Sequence, residues 1–290
     1  MLAAVRLTVS LLKLRIGMAI AASALAGIAA ATGPALSWWR AAAVAVAVLG
    51  ASGAAGAFNH YYERDLDRLM RRTRGRPFAT GTFQPDGRWL AGFIALLSAS
   101  LALAATAGGG VSAGYVFLGA FTYGIVYTVW LKRRSAWNIV IGGLAGSFAV
   151  LAGAAAVDAT PQLVPTILAV VLFLWTPPHF WSLAAAKGDD YRSAGIPMLP
   201  LITPPAAWTL AILTHTATLF AISLTPLLCG YGLVYGLGAG IGGACFLWRS
   251  WLLYRSPTKQ NAMANFFASL IQLGLLILGV ILESAAGAWT

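Results

Sequence analysis

Residues 37–77 read SWWRAAAVAVAVLGASGAAGAF and then NHYYERDLDRLMRRTRGRP, and the change at Asn59 decides the fold. The first part is apolar, with Arg40 its one charge, and a block of about twenty such residues is long enough to cross a bilayer as a helix. The second part packs Glu63, Asp65 and Asp67 among six arginines, in a chain with only 8 acidic residues. Continued as a helix, Asn59, Glu63 and Asp67 stand at i, i+4 and i+8. At ~100° per residue they drift by only ~40° per step and share one face. Asp65 lies roughly opposite Glu63, and a salt bridge to a neighbouring arginine is its expected role. An amide and two carboxylates facing one way at a membrane boundary point to a divalent-metal site.

The rest of the chain repeats the apolar block. Charged residues make up 9% of it and apolar ones 59%, with mean hydropathy +0.79, where a soluble domain carries roughly 25% charge. The fold class expected is an all-α integral membrane protein with nine transmembrane helices. The spans fall roughly at 14–33, 37–58, 89–107, 112–131, 137–157, 162–181, 205–226, 229–248 and 265–286. The first block is too long for a cleavable signal peptide and lacks a clear cleavage site. Cys229 and Cys245 sit in apolar blocks and read as packing residues. Runs such as GASGAAGA at 50–57 and GGLAGS at 142–147 read as close helix contacts.

A net charge of +11 would suit nucleic acid if it were gathered on one surface, but it is not. The basic clusters fall between every second pair of blocks, which is the positive-inside pattern. With a cytoplasmic N-terminus, all 19 basic residues except Arg40 lie on the inner side of the cell membrane, and the C-terminus lies outside. No nucleic-acid partner is expected; the lipid bilayer is.

The inner side also carries a second acidic pair, Asp189 and Asp190, in KGDDYRSAGIPMLP at 187–200. Carboxylates suit Mg²⁺, which is usually shared with substrate phosphates, and cationic side chains hold phosphate oxygens. In a single loop, such charges read most simply as topology signals and salt bridges. Two clusters after even-numbered spans, one with a one-face amide–acid–acid pattern, favour a site that ionises an allylic diphosphate at the membrane surface.

These residues resemble a known family. Asn59, His60, Glu63 and Asp67 stand as the first motif of the intramembrane aromatic prenyltransferases, the UbiA superfamily. The run from Asn59 through Asp65, Met70, Arg72, Thr73 and Arg76 to Pro77 is similar to the protohaem IX farnesyltransferases (haem O synthases) within it. LLKLRIG at 11–17, YTVWLKRRSAWNIVIGGLAGS at 127–147, WTPPHFWSLA at 175–184 and KGDDYRSAGIPMLP agree with that group.

The resemblance implies one prenyltransferase domain over residues 1–290, with helices around a central cavity open to the cytoplasm. It implies Mg²⁺-dependent transfer of the farnesyl group of farnesyl diphosphate to a vinyl group of haem b, with water completing a hydroxyethylfarnesyl side chain. Carried over, Asn59, Glu63 and Asp67 hold metal and diphosphate from one side, and Asp189 and Asp190 do so from the other, Asp190 being the metal ligand. Lys13, Arg15, Arg72, Arg76, Lys132, Arg133 and Lys187 are candidates for diphosphate or haem propionates. Haem A synthase and terminal-oxidase assembly proteins become candidate partners. The chain departs from the family in having adjacent aspartates for a spaced pair, Leu14 for Pro, His60 for Asn or Asp, and Glu63 for Asp.

His179, in TPPHFW, is the best candidate to touch haem, sharing a face with Asp190 if the helix runs on past Gly188; Pro177-Pro178 could instead break it. His60, the second haem-related candidate, adjoins the metal site and could bond a carboxylate, while His215 reads as a hydrogen-bonded packing residue. The nearest rival function is prenyl transfer to a quinone precursor or other aromatic acceptor. A transporter of an anionic solute would need charges deep inside the spans, and there are essentially none.

Overall fold

A computed structural model describes Leu7 and residues 9–287, and every regular element among them is helical. In lipid an unpaired backbone amide has no water to turn to, so apolar blocks close their hydrogen bonds within one segment. The chain runs through α1 (Leu14–Ala30), α2 (Trp38–Tyr62), α3 (Arg64–Leu69) and α4 (Gly87–Phe121), which continues as a π-helix (Thr122–Leu131). There follow α5 (Asn138–Gly142), α6 (Leu144–Val157), α7 (Leu163–Ala186), α8 (Gly188–Ser193), α9 (Leu199–Ile202), α10 (Pro205–Leu224), α11 (Leu233–Arg255) and α12 (Lys259–Ala285).

The expectation of nine separate spans is met in part. Among the described residues six helices are long and apolar enough to cross a membrane, Gly87–Leu131 counting as one rod of 45 residues. Gly109, at φ +86° and ψ 171°, breaks that rod between the expected 89–107 and 112–131 spans, a conformation glycine reaches without steric cost. Leu14–Ala30 is shorter. Leu233–Arg255 carries Arg249, Arg255 and five glycines, which lower its apolarity.

Two further local expectations are corrected. The stretch Asn59–Asp67 is not one continuous helix, because Glu63 (φ −92°, ψ 9°) separates α2 from α3. The bonds Glu63 N–H to Asn59 O (3.0 Å) and Asp67 N–H to Glu63 O (2.8 Å) persist, so the four-residue spacing survives the bend. At the second motif Lys187 (φ −115°, ψ 32°) separates α7 from α8, and His179 and Asp190 are not on one helix. Pro177 and Pro178 lie inside α7 without ending it.

The helices form a closed ring. α1 packs on α2 and α6, α2 on α4, α4 on α6, α6 on α7, α7 on α10 and α12, α10 on α11, α11 on α12, and α12 on α1. The first half of the ring is built on alanine, with Ala24, Ala47, Ala104 and Ala152 fully buried; the second half uses Tyr235, Phe246, Leu219 and Leu276. Where α1 crosses α6, two glycines admit the facing backbone. A Cβ on Gly27 would lie 2.0 Å from the Val150 carbonyl oxygen, and one on Gly153 1.9 Å from that of Ala24. In lipid, where apolar burial drives helices together only weakly, such contact carries the association.

Gly153→Ala should therefore cost about 1–3 kcal/mol or more by overpacking, read as a lower unfolding temperature in detergent. Gly114→Ala, whose added methyl meets nothing within 4 Å, should leave that temperature unchanged.

Candidate active site

The bend at Glu63 directs three side chains into the charged end of the bundle. Asn59, Glu63 and Asp67 are 2%, 1% and 2% exposed, and carboxylates so buried require partners. Each has one. Lys13 donates to Asn59 Oδ1 (2.7 Å) and to the Tyr123 hydroxyl (2.8 Å), and Asn59 Nδ2 donates to Thr128 Oγ1 (3.1 Å). Lys132 Nζ donates to Glu63 Oε2. Arg76 Nη1 bonds both oxygens of Asp67 at 2.9 and 2.8 Å. Lys13 holds φ 50° and ψ 42°, alone among described non-glycine residues in a positive φ. That strain is borne where its ammonium meets two acceptors, a common feature of functional sites.

Three of these partners come from one stretch. The π-helix Thr122–Leu131 closes its bonds five residues apart, and Lys132 follows directly. Tyr123, Thr128 and Lys132 thereby reach Lys13, Asn59 and Glu63, and the Tyr123 and Tyr127 rings stack at 5.8 Å. Tyr123 and Thr128 have no counterpart among the expected site residues. At the 3.6-residue period assumed for a span they read as isolated polar groups in an apolar run.

The structure sorts the remaining candidates. Arg15, Arg72, Arg133 and Lys187 are exposed, with Arg133 over the Tyr62 ring at 5.8 Å. Asp65 is exposed and pairs with Arg68 at 3.5 Å. Asp189 also faces outward, held by Lys259 (3.1 Å) and Arg192 (3.3 Å); the hydrogen bond from Lys259 holds its carboxyl below the usual carboxylate range. Asp190 turns towards the first loop and accepts from the Arg71 amide at 3.1 Å, beside a Ser193 Oγ bond to Leu69 O at 2.9 Å. The two acidic loops thus meet where side chains of the second bond the backbone of the first.

Of the histidines, His215 bonds the Ala211 carbonyl at 2.8 Å. His179 is stacked between Trp175 (4.2 Å) and Phe266 (4.4 Å), with Nδ1 2.7 Å from Ser269 Oγ. His60 is buried, and neither ring nitrogen has a hydrogen-bond partner; the expected bond to a carboxylate is not made.

Among the described residues no three His, Cys, Asp or Glu side chains converge. The amide oxygen of Asn59 and the carboxylates of Glu63 and Asp67 nevertheless form a hard-oxygen donor set of the kind Mg²⁺ takes. Glu63 Oε1 is buried and unpartnered, a position a cation would satisfy, so the residues fit the ion. Two cavities lie elsewhere: one of about 180 Å³ beside Arg192, Trp208 and Lys259, and an apolar groove of about 470 Å³ between α10 and α11.

The class follows from comparison. The chain belongs to the UbiA prenyltransferase family, which matches residues 20–271. Solved structures at 16% identity share the fold. A digeranylgeranylglyceryl phosphate synthase gives a TM-score of 0.79 over 97% of this chain and 99% of the other. A UbiA homolog from Archaeoglobus fulgidus, described as bound to GPP and Mg²⁺, gives 0.70 over 95% and 99%. Within the family the similarity narrows to one enzyme. The chain is 56% identical, over 98% of both sequences, to Protoheme IX farnesyltransferase 2 of Paramagnetospirillum magneticum. It is 47% identical to Protoheme IX farnesyltransferase 1 of the same organism, over 94% of this chain and 96% of the other.

Arg76→Met should strand a buried Asp67 and cost about 3–5 kcal/mol, measured by thermal unfolding. Asp189 behaves differently. Its lowered pKa contributes stability above the ordinary carboxylate range, and this is lost as pH falls through the lowered value. In Lys259→Met the Asp189 titration should move upward, which carboxyl infrared absorption would follow.

Proposed function

We propose that this protein transfers the farnesyl group of farnesyl diphosphate to a vinyl group of haem b, releasing diphosphate and giving haem O. The observation that carries the reading is the buried set of Asn59, Glu63 and Asp67 ringed by Lys13, Lys132 and Arg76, in a chain 56% identical to a protein named for this transfer. Asn59, Glu63 and Asp67 are the residues that would hold Mg²⁺, with Asp190 the candidate from the second loop. Bound there, the ion would neutralise charge building on the diphosphate.

The residues of the chain do the rest. Lys13, Lys132 and Arg76 are the cations within reach of the diphosphate oxygens, and charge-assisted bonds to a leaving group act most strongly where water is excluded. The apolar helices supply that exclusion and shelter the farnesyl cation from early capture. Exposed Arg15, Arg72, Arg133 and Lys187 are the candidates for haem propionates. His179, its two faces covered by Trp175 and Phe266, has only its ring edge to offer the porphyrin.

In this reading residues 1–290 form one domain of nine spans, the rod Gly87–Leu131 counting as two about Gly109. The central cavity opens to the cytoplasmic face, with the N-terminus inside and the C-terminus outside.

Purified protein in detergent, given haem b, farnesyl diphosphate and Mg²⁺, should yield farnesylated haem. Prenylation of 4-hydroxybenzoate in its place would assign a different acceptor. Asp67→Asn should lower turnover by about 100-fold or more, on the scale of losing one transition-state contact, while the protein still inserts into membranes; full activity would remove Asp67 from the site.

A further inference from the structure

We propose that His60 holds the water molecule that ends this reaction as its hydroxyl source. The proposal rests on the farnesyl-transfer reading and adds a residue to it. His60 is 3% exposed, and both Nδ1 and Nε2 lack a hydrogen-bond partner. Burying a polar ring with neither nitrogen satisfied is destabilising, and such a group gains where a bound molecule completes it. Water is the smallest molecule that can do so.

The neighbouring atoms leave this place to it. Both oxygens of Asp67 are taken by Arg76, the amide of Asn59 by Lys13 and Thr128, and Glu63 Oε2 by Lys132. What remains is Glu63 Oε1, where a cation fits, and the imidazole, where a neutral molecule fits. A neutral imidazole carries one N–H donor and one bare nitrogen that accepts. Its unprotonated nitrogen accepts a hydrogen from water, which leaves the water's lone pairs free for an electrophile.

Position agrees with this role. His60 adjoins Asn59 near the end of α2, so it stands beside the diphosphate-bearing end of the substrate and not along the tail. The chemistry needs a water there. The C1–O bond of farnesyl diphosphate breaks with its electron pair leaving on the diphosphate, and the vinyl π pair of haem bonds to C1. The cation left on the porphyrin-side vinyl carbon takes a lone pair from water, and the water's proton passes to the departing diphosphate. Where no water is held, the same cation sheds a proton from the adjacent carbon and an alkene results.

The test reads the product and not the rate. In ¹⁸O-labelled water, protein with His60 should give labelled hydroxyethylfarnesyl haem. His60→Asn, which keeps a hydrogen-bonding group, should retain the hydroxylated product. His60→Leu should lower the ratio of hydroxylated to alkene product by about tenfold, the scale of one lost hydrogen bond; an unchanged ratio overturns the proposal. Should His60→Leu fail to fold, radiolytic hydroxyl-radical footprinting of the unmodified protein decides. A bound water oxidises the His60 ring despite its burial, whereas modification no greater than at buried His179 refutes it. If unmodified protein forms no farnesylated haem at all, the functional reading fails separately, and the footprint still reports whether His60 is hydrated.

Discussion

The arrangement of the charged end depends on one constraint: two carboxylates lie at the end of a membrane helix at 1–2% exposure. Taking such groups out of water costs several kcal/mol each, and the loss is recovered only by close, well-bonded cations. Glu63 and Asp67 therefore fix where Lys132 and Arg76 must be, and Asn59 fixes Lys13. Those requirements reach into the segment before α1, the loop after α3 and the end of the π-helix. Three regions far apart in sequence are drawn to one point by two buried acids and a buried amide.

The same pairing explains how the site could change state on binding. Two acids and three cations sum to one positive charge, so the cluster is nearly balanced in the absence of other ions. A diphosphate and a divalent cation would bring charge of both signs, letting Lys13, Lys132 and Arg76 exchange carboxylate for phosphate oxygens while the carboxylates exchange ammonium for metal. Such an exchange conserves the number of charge-assisted contacts, so a highly charged substrate end can enter a buried place without leaving an ion unpaired.

Much of this was legible in the chain. Apolar blocks gave the helices, because hydrophobic length is what a bilayer selects, and the four-residue spacing of Asn59, Glu63 and Asp67 gave the shared face. The pairing of cations was not legible. Seven basic residues were equally eligible, and only tertiary packing separates half-buried Lys13, Lys132 and Arg76 from exposed Arg15, Arg72, Arg133 and Lys187. Nor could adjacency say that Asp189 turns to Lys259 while Asp190 turns to the Arg71 amide; that depends on the break at Lys187. Tyr123 and Thr128 were missed because helix periodicity was taken as 3.6 throughout. The breaks at Glu63 and Lys187 are backbone events that hydropathy does not register.

The π-helix carries a consequence for how this site can vary through descent. Its side chains reach the site by register: Tyr123, Thr128 and Lys132 meet three different residues because the turn between them is wide. Exchanging one apolar residue for another in Thr122–Leu131 leaves that register intact. Removing a single residue would tighten the turn to the ordinary helix and swing Lys132 by ~100° about the axis, away from Glu63. The apolar positions of the segment are thus free to vary while Tyr123, Thr128 and the length are fixed, and related chains should differ there by substitution at those apolar positions and not by insertion or deletion.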